Sequence, residues 1–237
     1  RTANHVVALT GAGASAESGI PTFRDAMTGL WASFDPTQLA TPEAFERDPQ
    51  TVSQWYDQRR QDCAKCQPNP GHVALAELEA CLRDRGGRFT LLTQNVDRLH
   101  QRAGSTDVVE LHGSIWVLRC VACETQIEAT QPLEEHPPRC EACGGAMRPG
   151  VVWFGEMLPE AAIERADAAS RECDVFLSIG TSSSVHPAAG LIHLARDAGA
   201  RCCEINLDPT PITSRVDHAL QGRSGEVLPR LVEAVRA

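Results

Sequence analysis

No apolar stretch of this 237-residue sequence approaches the length of a membrane span, no run of lysine or arginine occurs, and aromatic residues make up only 5%. The first absence argues against a membrane helix. The start of the chain also lacks the apolar core of a secretory signal, although a chain that opens on Arg1 leaves a trimmed leader open. The second absence, with a net charge of −9, argues against a nucleic-acid partner and leaves a basic peptide attracted only weakly over long range. What is present is globular: 42% hydrophobic and 22% charged residues, enough for one large domain or a core domain carrying a smaller insert.

Ten cysteines would suit a secreted disulfide scaffold, but their placement does not. Cys120/Cys123 and Cys140/Cys143 form two C-x-x-C pairs with 16 residues between them, the spacing of a structural zinc site. Four thiolates fill a tetrahedral shell, so this metal would hold structure and take no part in turnover. Thiolate ligands survive in a reducing compartment, which places the chain in the cell interior, the cytoplasm by default. The proline-bearing stretch between the pairs (Pro132, Pro137, Pro138) is expected to be loop. A third pair, Cys63/Cys66, has no partner at zinc spacing and is expected to be packing or surface cysteine; Cys173, Cys202 and Cys203 flank apolar runs as small core residues.

Five short apolar runs each stop at a polar or glycine cluster: Val6–Leu9, Phe89–Leu92, Val108–Leu111, Val175–Ile179 and Cys202–Ile205. Separated by helical patterns such as Val73–Leu82 and Leu191–Ala198, they predict an α/β fold, a Rossmann-like doubly wound parallel sheet covered on both faces. Ligands of such sheets bind at the carboxyl ends of the strands, so the five clusters would converge on one crevice. The first cluster, Gly11-Ala-Gly-Ala-Ser-Ala16, fits the G-x-G-x-x-G/A turn of dinucleotide sites, but the chain then runs to Pro21-Thr22-Phe23-Arg24-Asp25 instead of a second strand ending in an acid. That departure points to NAD held for something other than hydride transfer.

The segments GAGASAESGIPTFRD, TQNVDRLHQRAGS, ELHGS, the four paired cysteines, VVWFGE, GTSSSV and EINLD, in this order over nearly the whole chain, resemble the sirtuins, NAD-dependent protein lysine deacylases. The resemblance implies NAD consumed as co-substrate, one structural zinc, acylated lysine-bearing proteins as partners, and release of nicotinamide and 2'-O-acyl-ADP-ribose. It implies NAD contacts from Gly11, Ala12, Gly13, Ala16, Glu17, Thr22, Phe23 and Arg24 in the first segment, and from Gln94, Asn95 and Asp97 in the second. Gly180, Thr181, Ser182, Asn206 and Asp208 would serve the adenosine half, with Ser224 a loose match to the last adenine turn. Asn95 and Asp97 are also ordinary helix-capping residue types. His112, at the end of an apolar run and followed by a glycine, is the expected general base, with Asn95 beside it in catalysis; His72 is more in keeping with a helix start. Val152, Trp153, Phe154 and Gly155 resemble the strand that pairs with the substrate backbone, though Trp153 and Phe154 suit core packing equally.

The only tyrosine, Tyr56, precedes Arg59 by three residues, so on a helix the phenol and the guanidinium face the same way. Arginine binds carboxylates bidentately and the phenol adds a donor, and this Tyr-x-x-Arg resembles the sirtuin branch that removes succinyl and malonyl groups. Alone, such a pair is more often a solvated helix face. A large domain of residues 1–25, 85–113 and 151–237 is expected, with a small domain made of a helical insertion, 26–84, and a zinc module, 114–150. A plain deacetylase, a mono-ADP-ribosyltransferase and a non-catalytic zinc-stabilised NAD sensor are the alternatives.

Overall fold

The computed structural model describes residues 2–21, 35 and 39–236; Thr22, Phe23 and Arg24 lie outside the described residues. The chain enters on β1 (His5–Thr10), whose six residues are all buried, and turns through Gly11 and Ala12 into the single turn α1 (Gly13–Ala16). Three helices follow: α2 (Pro42–Arg47), α3 (Pro49–Lys65) and α4 (Pro70–Asp84). Each has proline in its first turn and a side-chain cap, from Thr41, Asp48 and Asn69 respectively, a combination that starts helices sharply. Then come β2 (Arg88–Thr93), a short α5 (Leu99–Arg102), β3 (Val108–Glu110), β4 (Gly113–Cys120), β5 (Gln126–Glu128) and β6 (Met147–Val151). The chain closes with α6 (Glu160–Glu172), β7 (Val175–Ile179), α7 (Leu191–Asp197), β8 (Arg201–Asn206), β9 (His218–Gln221) and α8 (Ser224–Arg236).

Six strands form one parallel sheet in the order β3-β2-β1-β7-β8-β9. Alternate residues of β1 serve opposite faces. Val7 and Leu9 pack with Leu92, Phe176, Leu191 and Ile192 under α6 and α7, while Val6 and Ala8 pack with Leu91, Ile179, Leu75, Leu78 and Leu228 under α4 and α8. The five apolar runs are the five inner and left-hand strands. The sixth, β9, is exposed at all four residues and carried no such signal.

Three antiparallel strands, β5-β4-β6, make the smaller sheet. β5 sits between the two cysteine pairs, where the sequence led us to expect loop alone. Helices α2 and α3 lie against this small sheet, with Phe45, Trp55, Tyr56, Ile115, Val151 and Trp153 in one buried cluster. Helix α4 does not join them. Its Leu75, Leu78 and Leu82 belong to the core of the main sheet. Among the described residues no helix is long and apolar enough to cross a membrane.

Candidate active site

The carboxyl ends of β1, β2, β7 and β8 are stitched to one another by polar side chains. Asn95 donates from Nδ2 to the Gly11 carbonyl and to Ser15 Oγ, both at 3.0 Å. Gln94 donates to Thr181 Oγ1 at 3.1 Å, and Asn206 donates to the Thr181 carbonyl at 2.9 Å. The four strand ends therefore share one polar rim, made of neutral amides, hydroxyls and small residues, a donor set that suits a dinucleotide. Gly11 and Gly13 are needed for strand-end packing as well. Their amides donate to the carbonyls of Ile179 and Gly180, and a Cβ on either glycine would lie within 2.9 Å of the Gly180 carbonyl oxygen. Ala12 is half-buried and Ala16 exposed beside this turn.

His112 stands half-buried at the end of β3, one residue before Gly113, whose φ of +70° and approach to the Gly150 carbonyl exclude a side chain. Its Nδ1 lies 3.1 Å from the Gln94 carbonyl oxygen. A carbonyl only accepts, so Nδ1 carries the proton and Nε2 keeps its lone pair. Burial holds the imidazole below its ordinary 6.5, against the opposing pull of that hydrogen bond. Neutral with a fixed tautomer, the ring is set up to take a proton at neutral pH.

Asp97 is buried and does two things at once. One oxygen accepts from Ser15 Oγ at 2.7 Å and the other from the Leu99 amide at 2.8 Å, which caps the start of α5. Burial pushes its carboxyl above the usual range. Behind it lies a buried group of side chains of which the sequence singled out His72 alone, as a helix start. His72 accepts from the Asn69 amide at Nδ1, so Nε2 carries the proton that faces Ser15 Oγ at 3.3 Å. His72 is a helix-start residue as expected, and it is also the back of the chain His72, Ser15, Asp97. The His100 ring packs 4.6 Å from His72 and meets Thr10 Oγ1 at 3.0 Å, and Thr10 donates to Thr93 at 2.8 Å. The one signal for this group was the small hydroxyl residue inside the glycine turn.

Other expected contacts are placed less simply. Glu17 accepts from the Gly225 amide at 2.7 Å and from Ser224 Oγ at 3.2 Å, so of the two residues expected at NAD, Glu17 caps the start of α8 and Ser224 is bonded to it. Ser182 is half-buried after Gly180, and Asp208 is exposed beyond β8. The segment Val152–Gly155 is not a strand: β6 stops at Val151 and Phe154-Gly155 form a turn. Its amides are already engaged, Val152 with the His112 carbonyl at 2.9 Å, Trp153 with Glu156 at 2.8 Å and Phe154 with the Ala40 carbonyl at 2.9 Å. Trp153 is core, 3% exposed, whereas Phe154 is 46% exposed.

Tyr56 is 6% exposed, between Trp55 and Trp153, with ring centroids 4.6 and 6.3 Å away. Its hydroxyl accepts from the Trp153 indole N–H at 3.0 Å and so keeps its own proton to donate. Burial pushes the phenol up to about 12, which keeps that proton in place at neutral pH. The Arg59 guanidinium lies 4.8 Å over the Trp55 ring, on the same side of α3.

At the small sheet, one sulfur atom from each of Cys120, Cys123, Cys140 and Cys143 falls within 4.8 Å of the others, with Cys120–Cys143 at 3.4 Å and Cys123–Cys140 at 3.7 Å. A tetrahedron of ~2.3 Å Zn–S bonds has edges of about 3.8 Å, so the cluster fits zinc. The amides of Ala122 and Gly145 point at the Cys120 and Cys143 sulfurs from 3.4 Å, as thiolates require.

The Sir2 family model matches residues 11–187. The chain belongs to the Sir2 family. This sirtuin is 54% identical to "NAD-dependent protein deacylase 2" of Pyrobaculum aerophilum over 98% of its own length and 91% of the relative's. It is 52% identical to the "NAD-dependent protein deacylase" of Aquifex aeolicus, covering 98% and 95% of the two chains. Among solved structures, a Sir2 homologue in complex with NAD superposes with a TM-score of 0.92 at 46% identity, covering 99% of this sirtuin and 90% of the homologue. A Sir2 protein bound to a deacetylated p53 peptide and 3'-O-acetyl ADP ribose superposes at 0.86 with 31% identity, covering 98% and 94%.

Proposed function

We infer that this sirtuin is an NAD-dependent protein deacylase, and we propose that it acts on lysines carrying acidic acyl groups, succinyl and malonyl, with acetyl as a further substrate. When bound, NAD would supply a ribose carbon at which the oxygen of the lysine acyl group displaces nicotinamide. The residues of the chain do the rest. Asn95 and Asp97, held by Gly11, Ser15 and Leu99, orient the ribose and the nicotinamide amide. His112 Nε2 takes the proton of a ribose hydroxyl, which attacks the acyl carbon. The Gln94 carbonyl holds the ring in the tautomer needed. One water is consumed as the acyl C–N bond to lysine breaks, and deacylated lysine and 2'-O-acyl-ADP-ribose leave after nicotinamide. Gly180, Thr181, Ser182, Asn206 and Asp208 serve the adenosine half. The Val152–Gly155 turn, with Phe154 exposed on it, meets the acyl peptide. Zinc at Cys120, Cys123, Cys140 and Cys143 holds the small sheet, and thiolate ligation suits a reducing cytoplasm.

The observation that carries the acyl preference is the placement of Tyr56 and Arg59 on one side of α3, the phenol with a proton to give and the guanidinium fixed over Trp55. An acyl carboxylate there meets a charge and a donor in low-dielectric surroundings, where one missing partner is costly. The test is a single peptide bearing acetyl-, malonyl- or succinyl-lysine, given to wild type and to Arg59→Met. The succinyl-to-acetyl ratio of kcat/KM should fall in the variant by about 30- to 900-fold, equivalent to about 2–4 kcal/mol, carried mainly by KM. Equal losses on all three substrates would make Tyr56 and Arg59 structural. A wild type that ignores succinyl peptide would leave the plain deacetylase.

A further inference from the structure

The buried pair Tyr56 and Trp153 comes from two parts of the chain 97 positions apart, and nothing in the reaction derived above uses the indole. Its surroundings are unusually fixed. The Arg148 guanidinium lies 3.3 Å from the centre of the Trp153 ring, in contact with one face. Arg148 is itself 6% exposed and is clamped by Glu156, with one contact at 2.9 Å, and by the Val151 carbonyl at 3.0 Å. Glu156 returns to the same residue, accepting from the Trp153 amide at 2.8 Å. Backbone, ring face and ring N–H of Trp153 are thus each held by a separate partner. A planar side chain pinned in this way has no rotamer freedom left, and its N–H direction is set by the turn that follows β6.

We propose that Trp153 is a positioning residue for the acyl pocket: its indole N–H, braced by Arg148 and Glu156, fixes the Tyr56 hydroxyl so that the phenol proton points at the acyl carboxylate. The inference rests on the acidic-acyl reading above. A phenol O–H rotates about its C–O bond, and an unanchored hydroxyl would turn to whatever acceptor lay nearest. An N–H donor on one lone pair restricts that rotation, because the proton avoids the side from which the oxygen accepts. Phenol and guanidinium then reach a carboxylate together from α3, while the direction of the phenol proton is dictated from the β6 turn. The same turn bonds to the His112 carbonyl through the Val152 amide, so acyl pocket and general base share one backbone support.

The experiment compares wild type, Trp153→Phe, Tyr56→Phe and the double variant on one peptide carrying succinyl- or acetyl-lysine. Trp153→Phe keeps an aromatic ring over Arg148 and removes the N–H. Loss of one hydrogen bond to the acyl reader should raise KM for succinyl peptide about three- to tenfold, with a smaller change in kcat, and lower the succinyl-to-acetyl ratio. In the Tyr56→Phe background the same change should add nothing, since the hydroxyl it acts through is gone. Because tyrosine occurs once in the sequence, protein labelled with 13C at tyrosine Cζ gives one line, and Trp153→Phe should move it. An unaltered ratio, an unmoved line, or effects that multiply in the double variant would overturn the proposal. If Trp153→Phe does not fold, Tyr56→Phe tests the bond from the other side: the Trp153 indole N–H should exchange faster with solvent, and unchanged exchange overturns it. Wild type indifferent to succinyl peptide overturns the acidic-acyl reading and this inference with it. Wild type that discriminates, beside a Trp153→Phe that still does, overturns this inference alone.

Discussion

His112 shows how much of a role is set by one neighbour. The imidazole is held by the Gln94 carbonyl, and that partner decides which nitrogen is basic. His112→Ala should reduce deacylation by about 10²–10⁴-fold while zinc content and melting temperature stay near wild type. Near-normal deacylation in that variant would remove His112 from the reaction. The pH profile tests the same residue without a mutation. Burial lowers the imidazole pKa below 6.5, so the basic form persists into mildly acidic solution. Activity should therefore fall on an acid limb whose midpoint lies below 6.5, measured as kcat/KM from pH 5 to 8. The type and spacing of His112 in Glu110-Leu-His-Gly113 were legible in the sequence. Its tautomer was not, because the Gln94 carbonyl comes from another strand end. Ser15, His100 and the contact of His72 with them were illegible for the same reason. Their common feature is a buried meeting point between α1, α4 and α5, and no window of the chain holds all three.

At the scale of elements, buried strands announce themselves and exposed or bonded turns do not. β1, β2, β7 and β8 carry apolar runs because both faces of the sheet are covered, whereas β9 is a solvent-facing edge and its His-Ala-Leu-Gln has nothing to alternate with. Val152–Gly155 has the composition of a strand, but hydrogen bonds to His112, Glu156 and Ala40 fold it into a turn. The zinc module was legible from spacing alone, yet its link to α3 was not. Asp57 on α3 pairs with buried Arg60, accepts from Gln61 at 2.9 Å and from the Leu133 amide at 3.3 Å, and has His136 at 3.9 Å. Leu133 and His136 lie between the two cysteine pairs, so zinc fixes the loop that holds α3. Cys140→Ala leaves three thiolates, and structural zinc supplies roughly 10–16 kcal/mol of apparent binding energy in small modules. The variant should lose its one zinc per chain, become sensitive to proteolysis between residues 120 and 147, and lose activity. Cys63→Ser with Cys66→Ser should retain the metal. Metal-free Cys140→Ala with an unchanged melting curve and full activity would contradict the assignment.

The whole molecule carries a consequence of its buried histidines. His5, His72, His100 and His112 are all held below 6.5, with burial the largest cause in each. His72 is held at about 4 and stays neutral in the folded state because it is enclosed and already bonded to Asn69 and Ser15. The unfolded chain binds a proton at each of these rings near 6.5, and the folded chain does so only at lower pH. Between those values the unfolded state holds more protons, so stability rises with pH across the window and falls on acidification. Above 6.5 both states are neutral and the effect vanishes. For His72, the interval from 6.5 to about 4 at 1.36 kcal/mol per pH unit gives ~3 kcal/mol, fully felt only at its acid end. In a chain of this size that is roughly 6–12 °C of melting temperature. The exposed carboxylates of Asp48, Asp174 and Asp217, held below 3.8, act in a lower window and do not obscure it. His72→Asn leaves an acceptor for the Asn69 amide and removes the titration, so its melting temperature should fall less steeply than wild type between pH 6.5 and 4.5. Zinc loss in acid affects both proteins alike and cancels in the comparison. Parallel curves would mean that His72 is protonated in the folded state, and the chain from His72 through Ser15 to Asp97 would then have to be redrawn.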